Sequence, residues 1–318
     1  MEVAASAPAK LILFGEHAVV YGRPALAVPL GTLRAEALLD VVAVGGLTID
    51  APDLGRVWRL ADAPDDPLAQ LVTEICAAWG RPIPAGTLTL RSQIPLASGM
   101  GSGAAIATAI VRALAADAGV ALSPAEISAL VFASERRLHG TPSGIDNTVV
   151  AFERPVWFVR SAGGPQIALL TIGVPLRLII GDTGVRSATK LPVAEVRRRW
   201  QEERARYESL FDAVGDVALR GRAALECGDV AALGPLLDAN HALLRAIGVS
   251  SPELDALVAA ARGAGAAGAK LSGAGWGGVM IALVDEASAE SVRAALLAAG
   301  AARALDATIG EERTREPV

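Results

Sequence analysis

Four stretches of the chain group residues that could do chemistry. The first is "IPLASGMGSGAA" (94–105), where Gly99, Gly101 and Gly103 alternate with Met100 and Ser102 and run into an Ala-rich segment with one charge, Arg112. Glycines at a strand–helix junction let an anion approach the backbone without Cβ clashes and reach the unpaired N–H groups at the positive end of a helix. No lysine follows the loop, so the pattern G-x-x-x-x-G-K-[ST] is absent. On these residues alone the stretch is equally a phosphate cradle and a bend before a buried helix.

The second is "ERRLHGTPSGIDNTVV" (135–150). Upstream, Ile127, Leu130, Val131, Ser134 and Leu138 share one helical face, and Glu135 falls at the edge of that stripe. A carboxylate there must be paired, hydrogen-bonded or bound to a metal. A turn rich in Pro, Ser and Gly then delivers Asp146 before an apolar, strand-like stretch. Taken alone, Asp146 is as well read as an Asx-type turn residue. The third stretch, "KLSGAGWGGVMIALV" (270–284), contains G-x-G-x-x-G at Gly273, Gly275 and Gly278. A dinucleotide fingerprint should follow a strand and open a helix, whereas this one opens a strand, so a loop packed against backbone or ligand fits better. The fourth, "KLILFGEHAVVYG" (10–22), places Glu16 and His17 directly after a short apolar strand.

The elements that must position these groups read as follows. "LILF", "ALAVPL", "AEALLDVVAV" and "LTID" are short strands separated by turn residues. Residues 67–79 form a helix with Leu68, Leu71, Val72, Ile75 and Cys76 on one stripe, and 87–94 form a strand. In "SPAEISALVFASERRLHG", Ser123 caps a helix, Pro124 takes its first position, Glu126 completes the capping box and Gly140 is a natural stop. "PVWFVR" and "QIALLTIG" pair as strands. From near residue 172 come a buried strand "LRLIIGDTG", a long charged helix over 193–214, a helix and glycine loop leading into "VMIALV", a last helix at about 287–299 and a short strand. Strands and helices without regular alternation predict two α+β domains, 1–171 and 172–318.

A chain of 318 residues is long for one core and suits two domains. A net charge of −5 argues against a general nucleic-acid binder. The two cysteines, Cys76 and Cys227, show no metal spacing and read as small core residues. No basic leader precedes the first apolar run and no apolar run is long enough to span a bilayer, so a cytoplasmic protein without a membrane partner is expected.

Together, and in the chain order 10–22, 94–105, 135–150 and 270–284, the four stretches resemble the motifs of the GHMP small-molecule kinases, over residues 8 to 284. Within that family "KLILFGEHAVVYG" and "GTPSGIDN" are most similar to the mevalonate kinases. The resemblance implies an α+β, two-domain GHMP kinase fold with an active-site cleft between the domains. It implies ATP-dependent phosphorylation of the 5-hydroxyl of (R)-mevalonate in isoprenoid biosynthesis, with Mg²⁺ as cofactor, ATP and mevalonate as small-molecule partners, and a homodimer favoured. Phosphomevalonate kinase and diphosphomevalonate decarboxylase are the alternatives. Both need extra cations for a phosphorylated acceptor, and the stretches around 10–22 and 140–150 show no Lys or Arg beyond what the kinase needs, although Arg136, Arg137, Arg186 and Lys190 are near in sequence. A non-catalytic sensor should have lost one of Lys10, Glu135 and Asp146, and all are present.

Roles follow from the resemblance residue by residue. Asp146 matches the base for the acceptor hydroxyl, and Lys10 the lysine beside it and the transferring phosphoryl group. Glu135 and Ser102 match the magnesium ligands. Ser92 and the run Pro95, Leu96, Ala97, Ser98, Gly99, Met100, Gly101, Ser102, Gly103 and Ala104 match the nucleotide side. Glu16, His17, Ser143, Gly144, Ser187, Thr189, Gly273 and Ala274 match the acceptor side. Lys10 is expected to keep Asp146 ionised and to stabilise charge on the attacking oxygen. Asp146 would then mainly orient the hydroxyl and take its proton late. Two positions depart from the family pattern. Relatives often carry a second hydroxyl where Gly103 stands, and Trp276 replaces a common glycine, placing an indole over the phosphate loop, at the cleft rim or simply on the surface. His139 and His241 default to structural roles.

Overall fold

The computed structural model describes residues 2–95, 98–139 (137–139 as backbone only), 143–161, 163–186 and 190–310. The chain divides into two compact units, one of Met1–Lys10, Gly31–Leu96 and Gly101–Arg154, the other of Leu11–Leu30, Ala97–Met100 and Pro155–Val318. The boundary expected at 171/172 falls inside the second unit. The chain passes between the units five times, at 10/11, 30/31, 96/97, 100/101 and 154/155, and the first two passages lie inside β1 (Glu2–Phe14) and β2 (Ala25–Val41). "ALAVPL" and "AEALLDV", expected as two strands, are this one strand β2, continuous through Gly31.

In the first unit, β2 pairs antiparallel with β5 (Gly86–Ser92), from Ala35 opposite Ser92 to Val41 opposite Gly86. β3 (Leu47–Ala51) lies parallel to β5 and antiparallel to β4 (Arg56–Arg59). Four helices complete this unit: α1 (Pro67–Ala78), α2 (Ser102–Ala118), α3 (Pro124–His139) and α4 (Ile145–Phe152). The Asp66 carboxylate caps α1 through the N–H groups of Leu68 and Ala69. The expected capping box opens α3: Ser123 N–H donates to Glu126 Oε2 at 2.8 Å and Glu126 N–H to Ser123 Oγ at 3.3 Å. The stretch after Asp146 is helix α4, not strand. Its β-branched run suggests a strand, but Ile145 and Asn147 to Ala151 are all buried, so no alternation marks the period and tertiary packing decides.

In the second unit, the Ala25–Ala27 end of β2 pairs with β6 (Val156–Val159), and β6 with β7 (Gln166–Leu169), both antiparallel. A separate antiparallel sheet runs in the order β11 (Arg303–Ile309), β8 (Leu176–Asp182), β10 (Val279–Val284), β9 (Gly268–Ser272). Helices α5 (Lys190–Glu202), α6 (Arg204–Cys227), α7 (Val230–Ile247), α8 (Pro252–Gly263) and α9 (Ala289–Ala298) accompany it. The single long helix expected over 193–214 is broken at Glu203. Tyr207, Phe211, Leu244, Ile247, Met280 and Val292 belong to one buried apolar cluster, where Tyr21 stacks on Phe211 at 4.1 Å. Cys76 is buried as expected, but Cys227 is exposed at the end of α6.

Arg112, a charge in the middle of apolar α2, has a structural cause. It donates to the carbonyls of Ser6 and Ala151 and to Glu153 Oε1, while Arg34 makes a two-pronged contact with the same carboxylate at 3.1 Å. Glu153 thus ties β1, β2, α2 and the end of α4 together. Glu153→Gln leaves two half-buried guanidiniums short of their counter-charge and is expected to destabilise the protein by about 2 kcal/mol. An unchanged denaturant midpoint would show that this cluster contributes nothing.

Candidate active site

Lys10 and Asp146 meet in the first unit. Lys10 is only 2% exposed, and its Nζ lies 3.0 Å from Asp146 Oδ1, while the Asp146 side chain remains 34% exposed. A buried ammonium and an open carboxylate leave one acceptor face available to a ligand. Asp146 is held there by its neighbours. Gly144 opens α4 in the left-handed region at φ 91°, and Ser143 Oγ accepts from Ile145 N–H at 3.3 Å. Asn147 Nδ2 donates to Ser128 O and Oγ on α3, and Thr148 Oγ1 donates to Gly144 O at 2.7 Å. Asp146 therefore sits in the first turn of α4, where the helix dipole favours a negative charge.

The glycine loop opens α2 without any side-chain cap, so the first-turn N–H groups of Ser102, Gly103 and Ala104 have no intrahelical partner and can take an anion. Gly101 has φ +75°, and a Cβ there would come 2.9 Å from Lys10 Cγ, so the glycine makes room for the lysine stem. Glu135, 8% exposed on α3, faces the same helix start: a Cβ on Gly103 would lie 3.4 Å from its Oε1. Burial first, and the Asp146 charge second, push its pKa up to about 7 against the opposing pull of Lys10. A nearby divalent cation would relieve that penalty. No group of three or more His, Cys, Asp or Glu side chains forms a metal cage among the described residues. The fit is therefore to a hard cation held by one carboxylate, ligand phosphate oxygens and water.

The second unit carries the Gly15–His17 turn and the 273–278 loop. Glu16 is 1% exposed, and both its oxygens are engaged, Oε1 by Lys270 Nζ and Oε2 by Asn240 Nδ2 at 2.9 Å. His17 has φ 61°, and its ring Nε2 is 2.8 Å from Ala274 O. Ser272 Oγ bonds both the N–H and the carbonyl of Ile12. The G-x-G-x-x-G run joins antiparallel β9 to β10 and packs on backbone: a Cβ on Gly278 would fall 2.6 Å from Ser98 O, and one on Gly273 3.3 Å from Gly99 Cα. Trp276 is anchored structurally, its indole N–H donating to Gly248 O at 3.0 Å.

The structure thus groups Lys10, Asp146, Ser143, Gly144, Glu135, Gly101, Ser102, Gly103 and Ala104 in one unit, and Glu16, His17, Ser98, Gly99, Met100, Gly273 and Ala274 in the other. Ser92 spends its hydroxyl on Ile94 N–H and gives its own N–H to Asp53, and Pro95 lies beside it. Leu96, Ala97, Ser187 and Thr189 lie outside the described residues, as does Gly140. Sequence reasoning missed Lys270 and Asn240. Lys270 had a signal, a lysine inside the apolar strand "GAKLS" that demands a counter-charge. Asn240 had none, since α7 was not foreseen. His241 is structural as expected: its Nδ1 accepts from Leu271 N–H and its Nε2 donates to Asp255.

Comparison with known proteins adds family information. The family model described as GHMP kinases N terminal domain matches residues 68–153, and GHMP kinases C terminal matches 222–302. A mevalonate kinase of Thermococcus gammatolerans is 36% identical over 324 residues, covering 94% of this chain and 94% of the relative. That of Thermococcus sibiricus is 33% identical over 320 residues, with the same coverage of 94% and 94%. Among solved structures, L. major mevalonate kinase in complex with R-mevalonate superposes with a TM-score of 0.85 at 28% identity, covering 97% of this chain and 96% of that one.

The buried groups set opposing pH dependences. Folded Glu135 holds its proton to about pH 7, while the unfolded carboxyl releases it near 4.5. The folded state therefore binds more protons in that window, and stability falls as pH rises through it, by about 3 kcal/mol in all. His17 and His241 are lowered from 6.5 to about 4, burial being the first cause in each. Their folded forms bind fewer protons between about 4 and 6.5, so they add stability as pH rises there. Glu135→Gln removes only the first effect. The variant is expected to be more stable than the parent at pH 8, with the gap closing toward pH 4.5 in denaturant titrations. A gap that does not vary with pH would contradict the buried carboxylate.

Proposed function

The chain belongs to the GHMP kinases, and on that premise we infer that it transfers the terminal phosphoryl group of ATP to the 5-hydroxyl of (R)-mevalonate. Its mevalonate kinase relatives match over nearly the whole chain. The observation that carries the reading at the level of chemistry is the Lys10–Asp146 pair at 3.0 Å, buried on the lysine side and open on the carboxylate side.

Phosphoryl transfer asks the protein for positioning and charge stabilisation more than for covalent chemistry. In this reading Asp146 accepts a hydrogen bond from the acceptor hydroxyl and orients its oxygen toward the γ-phosphorus. As the new O–P bond forms, the bond to the β–γ bridging oxygen breaks, the hydroxyl proton passes to Asp146 and ADP leaves. In this reading Asp146 mainly orients the hydroxyl and takes its proton late. Lys10 stabilises the charge on the attacking oxygen and the transferring group. The uncapped N–H groups of Ser102, Gly103 and Ala104 hold phosphate oxygens.

Mg²⁺ suits Glu135 with the Ser102 hydroxyl or water, and when bound it would neutralise charge on the phosphates. Glu135 is the residue that would bring it to the loop. The turn of Glu16 and His17, with Gly273 and Ala274, serves the acceptor in this reading. Ser143 and Gly144 serve it by setting the start of α4.

A coupled ADP-release assay across mevalonate, phosphomevalonate, homoserine and galactose tests the assignment, with turnover expected on mevalonate. Turnover on another of these and none on mevalonate would overturn it. Asp146→Ala is expected to lower kcat at least about 10³-fold while leaving Mg-ATP affinity within about threefold. Undiminished turnover would remove Asp146 from the chemistry.

A further inference from the structure

Lys270 and Glu16 form a buried ion pair that the phosphoryl-transfer chemistry does not use. Lys270 is 0% exposed, Glu16 1% and Asn240 0%. Lys270 Nζ bonds Glu16 Oε1 and donates to Leu271 O at 2.5 Å and Ile12 O at 3.4 Å. Asn240 Nδ2 engages the other Glu16 oxygen at 2.9 Å, and Asn240 Oδ1 is buried with no hydrogen-bond partner. One carboxylate thereby pins the turn after β1 to β9 and to α7.

Such a network is a poor way to gain stability. Taking both ions out of water costs several kcal/mol each, and an apolar pair of similar volume often packs as well or better. What it does supply is a fixed backbone. The next residue, His17, is a non-glycine at φ 61°, a conformation that persists only where its surroundings impose it. Its Nε2–H points to Ala274 O, which selects one ring tautomer and leaves Nδ1 as the acceptor nitrogen.

We propose that Lys270 and Asn240 are positioning residues which, through Glu16, hold the Gly15–His17 turn so that His17 meets the acceptor substrate as the Nε2–H tautomer. Glu16 itself touches no ligand, because both its oxygens are bonded within the fold. The proposal rests on the acceptor-side role given to His17 above.

Lys270→Met alone would strand the Glu16 charge in the core and is expected to unfold the protein. The informative variants are Glu16→Gln/Lys270→Met, which replaces both ions with neutral groups of similar size, and Asn240→Ala, which leaves the ion pair intact. Two readouts apply to the full chain. Ring ¹H–¹⁵N correlation spectra should show His17 as a single Nε2–H tautomer in the parent and as a mixture in the folded double variant. The KM for mevalonate should rise between about 10- and 100-fold, with the KM for ATP unchanged and kcat within about threefold. Asn240→Ala should move both readouts the same way, by less. A folded double variant that keeps the parental tautomer and KM would overturn the proposal. If the parent does not phosphorylate mevalonate, the functional reading fails, and the tautomer spectra still decide whether the network positions His17.

Discussion

The charge of a lysine taken almost wholly out of water is costly unless a partner offsets it, and this chain meets that cost with a carboxylate twice. Lys10 is matched by Asp146 and Lys270 by Glu16, each pair inside its own compact unit. The two solutions differ in one respect that separates their roles. Asp146 keeps a third of its side chain exposed, so the first pair is closed on the cation and open on the anion. Such a pair is poised to interact with something outside the fold. Glu16 is closed on all sides, with each oxygen bonded to a named donor, and can act only through the backbone it holds. The same pairing of residue types yields an open carboxylate in one place and a closed one in the other, and burial of the acid is what distinguishes them.

Neither pair would be useful without the polar contacts around it. Asp146 follows a left-handed glycine and precedes Asn147 and Thr148, whose buried side chains lock α4 to Ser128 of α3 and to Gly144. A helix of eight residues has little stability of its own. These bonds, and the packing of its apolar side chains, fix the direction in which the aspartate points. Glycine serves the same end by absence. At Gly101 a side chain would collide with the stem of Lys10, and at Gly278 with the carbonyl of Ser98. Backbone is thereby brought close to the groups that matter, which an alanine at either position would prevent.

Most of this was legible where the residues act locally. The capping box of Ser123 and Glu126, the amphipathic stripe of α1 and the strand character of "VMIALV" can be read from spacing, whereas β9 is hidden in what reads as a glycine-rich bend. Lys10, Glu135 and Asp146 were picked out by motif resemblance, and the geometry supplies their physical relation. What escaped was non-local. Helix α4 looks like a strand because its burial on most faces erases the helical period. β2 looks like two strands because Gly31 suggests a turn, whereas cross-strand pairing carries the strand through. Asn240 matters only because the fold brings position 240 to position 16, and no local pattern records a meeting of residues so far apart. For Lys270 the reverse holds: a charge in an apolar strand announced that a partner must exist, and only its identity was hidden.

Gly103 brings these constraints to a single position. This position has no side chain, and its vacant Cβ direction points at Glu135 Oε1. A serine or threonine there could donate to the carboxylate, stabilise its charge and lower its pKa. Without that donor, burial is unopposed except by Lys10, and the carboxylate is pushed up to about 7. The missing hydroxyl therefore has two linked consequences. In the magnesium reading proposed above, the site would offer one oxygen fewer to the cation, and its carboxylate would gain more from a cation than it otherwise would. A small hard ion that keeps several of its waters suits this arrangement better than one that needs a full protein cage. Because the carboxylate must ionise to bind, occupancy by such an ion would be coupled to proton release. In that reading, the glycine at 103 leaves the ion to be held by Glu135, water and nucleotide.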